Sequence, residues 1–213
     1  MLAQIEKWDF FEYSLPYQGS DNPFLDVTLE ATFIHPNSQV RVSGFYDGGG
    51  VFKIRFMPGH EGVWRFATHS NISALDGQQG EFLCVAPSAN NHGPMRVFNT
   101  VNFAYEDGTP YLPVGTTCYV WNLQGDDLEE QTLETLRRSP FNKIRMCVFP
   151  KRYLFNRNEP PCYPFPGEVT QVWDANVERA YRSSEPPQYW DFNQFNPQYF
   201  QRLEKRILDL RTL

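Results

Sequence analysis

Cysteine is scarce in this chain, and its few thiols form no recognisable motif. The 213 residues include only 4 cysteines, widely spaced and without a Cys-x-x-Cys pair, which predicts reduced thiols in a cytoplasmic protein. The 4 histidines all lie in the first half at spacings that do not suit zinc, so we expect no metal and no other cofactor. The glycine triplet 48–50 precedes a strand-like segment and indicates a hairpin turn rather than a phosphate-binding loop.

Long apolar runs and an excess of positive charge are absent as well. No apolar stretch approaches the roughly 20 residues that cross a membrane. The N-terminal segment lacks the basic start and apolar stretch of a signal peptide. The net charge of −6 argues against nucleic acid or an anionic membrane as partner. Apolar residues make up 41% of the chain and aromatic residues 16%, which is enough to build a folded core.

Residues 1–88 have the pattern of a domain built only from β-strands. Apolar and polar side chains alternate in several short segments, as at Phe52, Ile54 and Phe56, and turn-forming residues separate these segments. Short strands with turns about every eight to twelve residues predict an all-β, immunoglobulin-like sandwich. The strand-like segments are residues 6–15, 26–35, 39–46, 51–57, 62–69 and 80–86.

A linker and then a different pattern follow the β-rich part. Residues 89–94 are the predicted linker, because they lie in the turn-forming segment PSANNHGP. Residues 95–213 are the predicted second domain, and they begin with a hairpin whose tight turn is Asp107-Gly108.

The pattern then changes to strand, helix and strand. Residues 111–120 and 143–149 are predicted to be buried strands, and the helix between them is expected to start with a capping box at Asp127 and Glu130. A unit of this length predicts two parallel strands joined by a right-handed crossover. A second amphipathic helix is expected to begin at Asn196-Pro197, close to the end of the chain.

Candidate binding residues lie at the carboxyl ends of the two predicted parallel strands. Tyr119 and Trp121 follow the first strand, and Phe149 and Lys151 follow the second. Arg145 lies within the second strand. Aromatic rings beside a guanidinium suit a polar, ring-shaped ligand such as a sugar, so we predict that these residues bind a carbohydrate.

The long insert before the second helix supplies further candidates. Residues 152–195 are rich in proline and aromatic residues, which disordered low-complexity segments rarely are. We therefore predict an ordered wall of a binding site. Trp173, Trp190 and Asp191 are its predicted substrate contacts, although solvated loop charge is the commoner role for an acid such as Asp191.

Long segments of the chain resemble a group of bacterial glycoside hydrolases. The segments include EKWDFFEYSL and VSGFYDGGGVFKIRFMPGHEGVWRFATHSN in the first part, and FAYEDGTPYLPVGTTCYVW, TLETLRRSPFNKIRMCVFPK and WDFNQFNPQYFQRLEKRI in the second. Members of this group carry an N-terminal β-sandwich of unassigned role, followed by an apiosidase-like (β/α)8 catalytic domain. The resemblance therefore implies a β-sandwich followed by the start of a TIM barrel that is incomplete in this chain.

The same resemblance implies a chemistry and a role for one residue. The segment FNKIRMCVF is similar to the second barrel strand of clan A retaining glycosidases, where an arginine supports the nucleophilic carboxylate. This implies a supporting role in catalysis for Arg145, with a structural ion pair as the alternative. Retaining enzymes use two carboxylates about 5 Å apart. In the family these stand on later strands, so the acid/base and the nucleophile are expected beyond this chain.

Three functions remain open at this point. The chain is the N-terminal portion of a glycoside hydrolase acting on oligo- or polysaccharides, a non-catalytic carbohydrate-binding module, or a structural sandwich that supports a catalytic domain. An exposed aromatic face on the sandwich would favour the binding module, and the candidates are Trp8, Phe45, Tyr46 and Trp64. A carbohydrate is the expected partner. The missing half of the barrel is expected to come from a longer chain, or from a partner chain in an oligomer.

Overall fold

A computed structural model of the chain describes residues 2–150, 156, 158–167 and 190–213. The chain divides into two compact units, Met1–Leu112 and Pro113–Leu213. Among the described residues, neither α-helix is long and apolar enough to cross a lipid bilayer.

The first eight strands of the first unit form two β-sheets. These strands are β1 Ala3–Glu6, β2 Phe11–Pro16, β3 Leu29–His35, β4 Ser38–Ser43, β5 Phe45–Gly48, β6 Val51–Phe56, β7 Gly62–Ser70 and β8 Gln79–Val85. One sheet has five strands in the order β1-β8-β7-β3-β4, and the other has three strands in the order β2-β6-β5. Neighbouring strands in both sheets are antiparallel except for the parallel pair of β1 and β8.

A core of aromatic side chains lies between these two sheets. The ring of Phe33 on β3 stacks on that of Phe56 on β6 with centroids 4.2 Å apart, and Phe11 on β2 stacks on Phe82 on β8 at 4.3 Å. Trp64 on β7 is 1% exposed within the same core. On β6, Phe52, Ile54 and Phe56 are buried as the alternation predicted. The two sheets therefore pack face to face as a sandwich.

Two predicted strands are each divided in the structure. Residues 6–15 form the end of β1 and most of β2, because the chain turns at Trp8, whose φ of 70° is incompatible with an extended strand. Residues 39–46 are divided at Gly44, where the chain passes from the five-stranded to the three-stranded sheet. A Cβ at Gly44 would lie 2.9 Å from the Lys53 carbonyl oxygen and 2.7 Å from Leu29 Cδ2, so the close backbone approach requires glycine.

A third sheet ends the first unit. It consists of β9 Met95–Phe98, β10 Asn102–Tyr105 and β11 Pro110–Tyr111, in the order β11-β10-β9. The predicted hairpin turn is present one residue earlier than expected: the Gly108 N–H donates to the Tyr105 carbonyl at 2.9 Å, so Glu106 and Asp107 are the central residues and Gly108 follows them with φ 88°. The predicted domain boundary at residues 89–94 stays a prediction.

The second unit contains two short strands and two α-helices among its described residues. The elements are β12 Gly115–Thr117, the 3-10 helix Trp121–Leu123, α1 Asp126–Arg137, β13 Lys143–Arg145 and α2 Pro197–Arg211. Strands β12 and β13, which α1 separates in the sequence, pair in parallel.

The predicted start of a TIM barrel is wrong. The described residues are mostly β-sheet arranged in several small sheets, and β12 and β13 form an isolated pair with three residues each. The apolar residues that predicted long buried strands are largely exposed: Val114 is 45%, Val148 is 47% and Phe149 is 49% exposed. With no third strand beside this pair in the described chain, those side chains have no sheet face to pack against, and the chain leaves the strand conformation.

The two helix starts differ in how well the sequence predicted them. The Asn196-Pro197 start of α2 is confirmed, because the Asn196 side chain accepts a hydrogen bond from the Gln198 N–H. The predicted capping box of α1, at Asp127 and Glu130, is wrong. Gly125 is the N-cap residue with φ 102°, and Glu129 accepts the hydrogen bonds from the backbone N–H groups of Gln124 and Gly125.

Candidate functional site

A buried group of charges joins helices α1 and α2. The carboxylate of Glu129 on α1 is 0% exposed and accepts hydrogen bonds from Arg206 Nε at 2.5 Å and Arg202 Nη2 at 2.7 Å. Arg206 also donates to Glu130 at 2.6 Å and to Asp209 at 3.0 Å. Sequence analysis missed this group, although the four-residue spacing of Arg202 and Arg206 opposite the acids of α1 was a signal for it.

Hydrogen bonds in this group favour the charged forms of Arg206 and Asp126. Burial favours the neutral guanidinium of Arg206, but its hydrogen bonds to Glu130, Glu129 and Asp209 outweigh burial, so the pKa of Arg206 lies above its ordinary value. The hydrogen bond from Arg202 lowers the pKa of Asp126. This group fixes α1 against α2 and positions the segments that precede them.

The structure brings Tyr119 and Arg145 together. The guanidinium carbon of Arg145 lies 5.2 Å from the centroid of the Tyr119 ring, within cation–π distance. Two backbone hydrogen bonds hold these segments side by side: Cys118 N–H donates to the Arg145 carbonyl at 3.0 Å, and Cys147 N–H donates to the Tyr119 carbonyl at 2.7 Å. The side chain of Arg145 remains exposed at the end of β13.

Trp121 and Phe149 have opposite environments. Trp121 is 4% exposed in the 3-10 helix, and its Nε1–H donates to Met146 Sδ at 3.1 Å. Phe149 is 49% exposed, and its ring meets the edge of Phe200 on α2 with centroids 6.5 Å apart. A ligand in solution therefore reaches Phe149, whereas Trp121 is packed inside the unit.

An aromatic cluster surrounds the start of α2. Rings pack between the 163–167 segment and the residues before and within α2, and the stacked pair of Phe165 and Phe195 has centroids 5.2 Å apart. Through Phe200 this cluster extends to Phe149. Its members are Phe149, Phe165, Phe192, Phe195 and Phe200.

Trp190 and Asp191 lie on the segment that leads into α2. The Trp190 ring packs on Tyr163 with centroids 4.8 Å apart. One carboxylate oxygen of Asp191 accepts a hydrogen bond from the Asn193 N–H at 3.0 Å, which closes a turn. The remaining predicted contacts, Lys151 and Trp173, lie outside the described residues.

A small pocket in the second unit contains polar atoms that sequence analysis missed. Asn122 from the 3-10 helix and Arg202 from α2 both line it. Both polar atoms of the Asn122 amide and the Nε of Arg202 are buried and lack a hydrogen-bond partner among the described residues. No local sequence pattern distinguishes Asn122 from a surface asparagine.

Comparison with known proteins supports a relationship to carbohydrate-active enzymes. A family described as a domain of unknown function, DUF5060, matches residues 4–71. The crystal structure of a putative glycoside hydrolase from Bacteroides vulgatus ATCC 8482 matches 99% of this chain at 41% sequence identity, with a TM-score of 0.88. The chain spans 39% of the length of that protein. No curated protein matches the chain.

Proposed function

We propose that this chain forms part of a glycoside hydrolase that cleaves oligo- or polysaccharides by a retaining, two-carboxylate mechanism. The observation that carries the proposal is the 41% identity over 99% of the chain to the Bacteroides vulgatus protein described as a putative glycoside hydrolase. The apiosidase-like relationship and the cytoplasmic location stay predictions.

In this proposal the second unit supplies part of the sugar-binding surface. Tyr119, Arg145 and Phe149 offer two rings and a guanidinium, groups that stack on a sugar ring and bind its hydroxyls. Trp190 and Asp191 would extend this surface along the segment before α2.

The two catalytic carboxylates are proposed to lie outside these 213 residues. A retaining enzyme needs two carboxyl groups about 5 Å apart on either side of the scissile bond. Glu129 is held by two arginines, and one oxygen of Asp191 closes a turn. These contacts support structural roles for both acids. We propose that Arg145 supports the nucleophile and takes no part in proton transfer.

Glycosidase activity tests this proposal directly. We would assay a panel of aryl glycosides with the 213-residue chain and with the longer Bacteroides vulgatus protein as the matched control. The expected result is hydrolysis by the longer protein and none by the chain alone. Hydrolysis by the chain alone would place the catalytic acids within it. Failure of both to hydrolyse, together with retention of the chain on insoluble polysaccharides, would favour the binding module.

Arg145 is expected to influence turnover in an active protein that contains this chain. In a chimera where the chain replaces the matching part of the Bacteroides vulgatus protein, Arg145→Ala should lower kcat about 100-fold by misplacing the nucleophile. Lys143→Ala, which removes an exposed cation two residues earlier on β13, is the control and should leave kcat unchanged. Normal kcat in the Arg145 variant, with an unchanged melting temperature, would remove Arg145 from the site.

A structural accessory role for the sandwich is the second candidate function. Trp64 is 1% exposed, and Tyr46 is half-buried against the core. Of the four aromatic candidates for glycan binding, Phe45 is the most exposed, and its ring already packs on Arg55, 5.1 Å from the guanidinium carbon. These contacts favour a sandwich that supports its neighbour over one that binds glycan itself.

A further inference from the structure

The small pocket of the second unit lies between the 3-10 helix, residues 160–162 and α2. Pro160 and Pro161 form one wall, and Tyr199 and Arg202 form another. The space leaves about 10 Å³ for the centre of a water-sized sphere, which is room for about one oxygen atom and its hydrogens.

Three polar atoms at this pocket have no partner among the described residues. They are Asn122 Oδ1, Asn122 Nδ2 and Arg202 Nε. Asn122 is 3% exposed, so bulk water does not satisfy its amide. Two other polar groups at the pocket are already paired: Arg202 Nη2 donates to Glu129, and the Tyr199 hydroxyl donates to the Val148 carbonyl. Buried polar groups almost always have a partner, so three unpaired atoms at one pocket indicate a bound group.

The chemistry of the three atoms defines that group. Asn122 Nδ2 and Arg202 Nε are donors, and Asn122 Oδ1 is an acceptor. A cation would be repelled by the Arg202 guanidinium. An anion would meet the Asn122 carbonyl oxygen, while the Arg202 guanidinium is already paired with the carboxylates of Glu129 and Asp126. A neutral oxygen that accepts two hydrogen bonds and donates one fits all three atoms.

We propose that this pocket binds one hydroxyl oxygen, held by the Asn122 amide and the Nε of Arg202. The oxygen accepts from Asn122 Nδ2 and Arg202 Nε and donates its proton to Asn122 Oδ1. An ordered water and an alcohol hydroxyl of a sugar or polyol share this chemistry. The assignment stands on the pocket alone and does not depend on glycosidase activity.

The variant Asn122→Leu tests the proposal because it removes both amide atoms and keeps a side chain of similar size. If an oxygen is bound, the variant loses its hydrogen bonds, and the melting temperature should fall by about 2–4 °C. If the pocket is empty, the variant removes an unsatisfied amide, and the melting temperature should rise. Gln131→Leu on the exposed face of α1 is the matched control.

Titration with methyl β-D-glucoside and with glycerol separates the two sources of the oxygen. Polyols stabilise most proteins by exclusion from the surface, so the informative quantity is the difference between the wild-type protein and Asn122→Leu. If the glucoside raises the melting temperature of the wild-type protein and of Gln131→Leu but not that of Asn122→Leu, the bound oxygen is a sugar hydroxyl. Equal responses in all three, with a lower melting temperature for Asn122→Leu, identify a water.

A high-resolution crystal structure of the wild-type protein gives a second measurement that does not require a folded variant. An oxygen within about 3.2 Å of Asn122 and Arg202 Nε is the expected result. An empty pocket in that structure, or a higher melting temperature for Asn122→Leu, would overturn the proposal.

Discussion

Replacing Glu129 with Gln should lower the free energy of unfolding by about 3–5 kcal/mol. The carboxylate is fully buried and accepts hydrogen bonds from both Arg206 and Arg202. The side chain of Arg206 is itself only 3% exposed, so the variant leaves a guanidinium charge in the interior without its fully buried counter-ion, and only the more exposed Glu130 and Asp209 remain beside Arg206 Nη1. Gln also presents an N–H group to two donors. Urea denaturation of the purified protein, followed by tryptophan fluorescence, measures this loss.

Glu134→Gln is the matched control on the same helix. Glu134 forms ion pairs with Arg137 and Arg138, but its side chain is 45% exposed. Solvent screens such pairs, so the expected change is below about 1 kcal/mol. Equal losses for the two variants would mean that the buried carboxylate contributes no more than a surface charge, and this would contradict the role assigned to Glu129.

A double variant separates the loss of the pair from the burial of a lone charge. Glu129→Leu with Arg206→Met replaces the central charges by apolar side chains of similar size. Such a replacement is often neutral or stabilising, so the double variant should be more stable than Glu129→Gln. If the double variant is less stable than Glu129→Gln, the ion pair itself provides net stability.

The sequence predicted the β-rich part of the fold well because its signals are local. Alternating side chains in β6 and turn residues between the strands are enough to locate strands and the face that each one buries. What it did not predict was the division of a strand between two sheets at Gly44, which depends on how closely Leu29 approaches from β3. That contact becomes visible only once the sheets are assembled.

The second unit was harder to predict, because an apolar segment with high β-propensity does not by itself tell whether the segment forms a buried strand. Val148 and Phe149 have strong β-propensity, yet both are exposed beside a strand of three residues. Propensity describes a pleated and half-buried surface, and it does not tell whether a neighbouring strand exists. The group around Glu129 was missed for a related reason: its partner Arg206 is 77 positions away in the sequence.

Only part of the candidate site was predictable from the sequence. The sequence placed Tyr119 and Arg145 near each other because parallel strands end at one edge, and the structure holds them 5.2 Å apart. It also placed Trp121 on the binding surface. An aromatic residue at the end of a strand can equally well pack inside the protein, and the sequence does not distinguish the two roles. The Trp121 indole donates to Met146, 25 residues later, and no local sequence pattern predicts that contact.

Trp121→Ala is therefore expected to lower the free energy of unfolding by about 3–5 kcal/mol, as loss of a buried indole usually does. Trp121 is 4% exposed, and its N–H donates to Met146 Sδ. Phe149→Ala is the matched control: its ring is 49% exposed, so the change in stability should stay below about 1 kcal/mol while sugar affinity falls.

Trp121→Phe distinguishes packing from direct contact with the sugar. Phenylalanine keeps most of the buried apolar surface and removes the N–H, so this variant should recover most of the stability lost in Trp121→Ala. Its affinity for a methyl glycoside, measured by calorimetry in the chimera with the Bacteroides vulgatus protein, should equal that of the wild-type chimera, because the indole is enclosed within the unit. A Trp121→Phe chimera that melts like wild type and no longer binds the glycoside would instead place the indole in the sugar site.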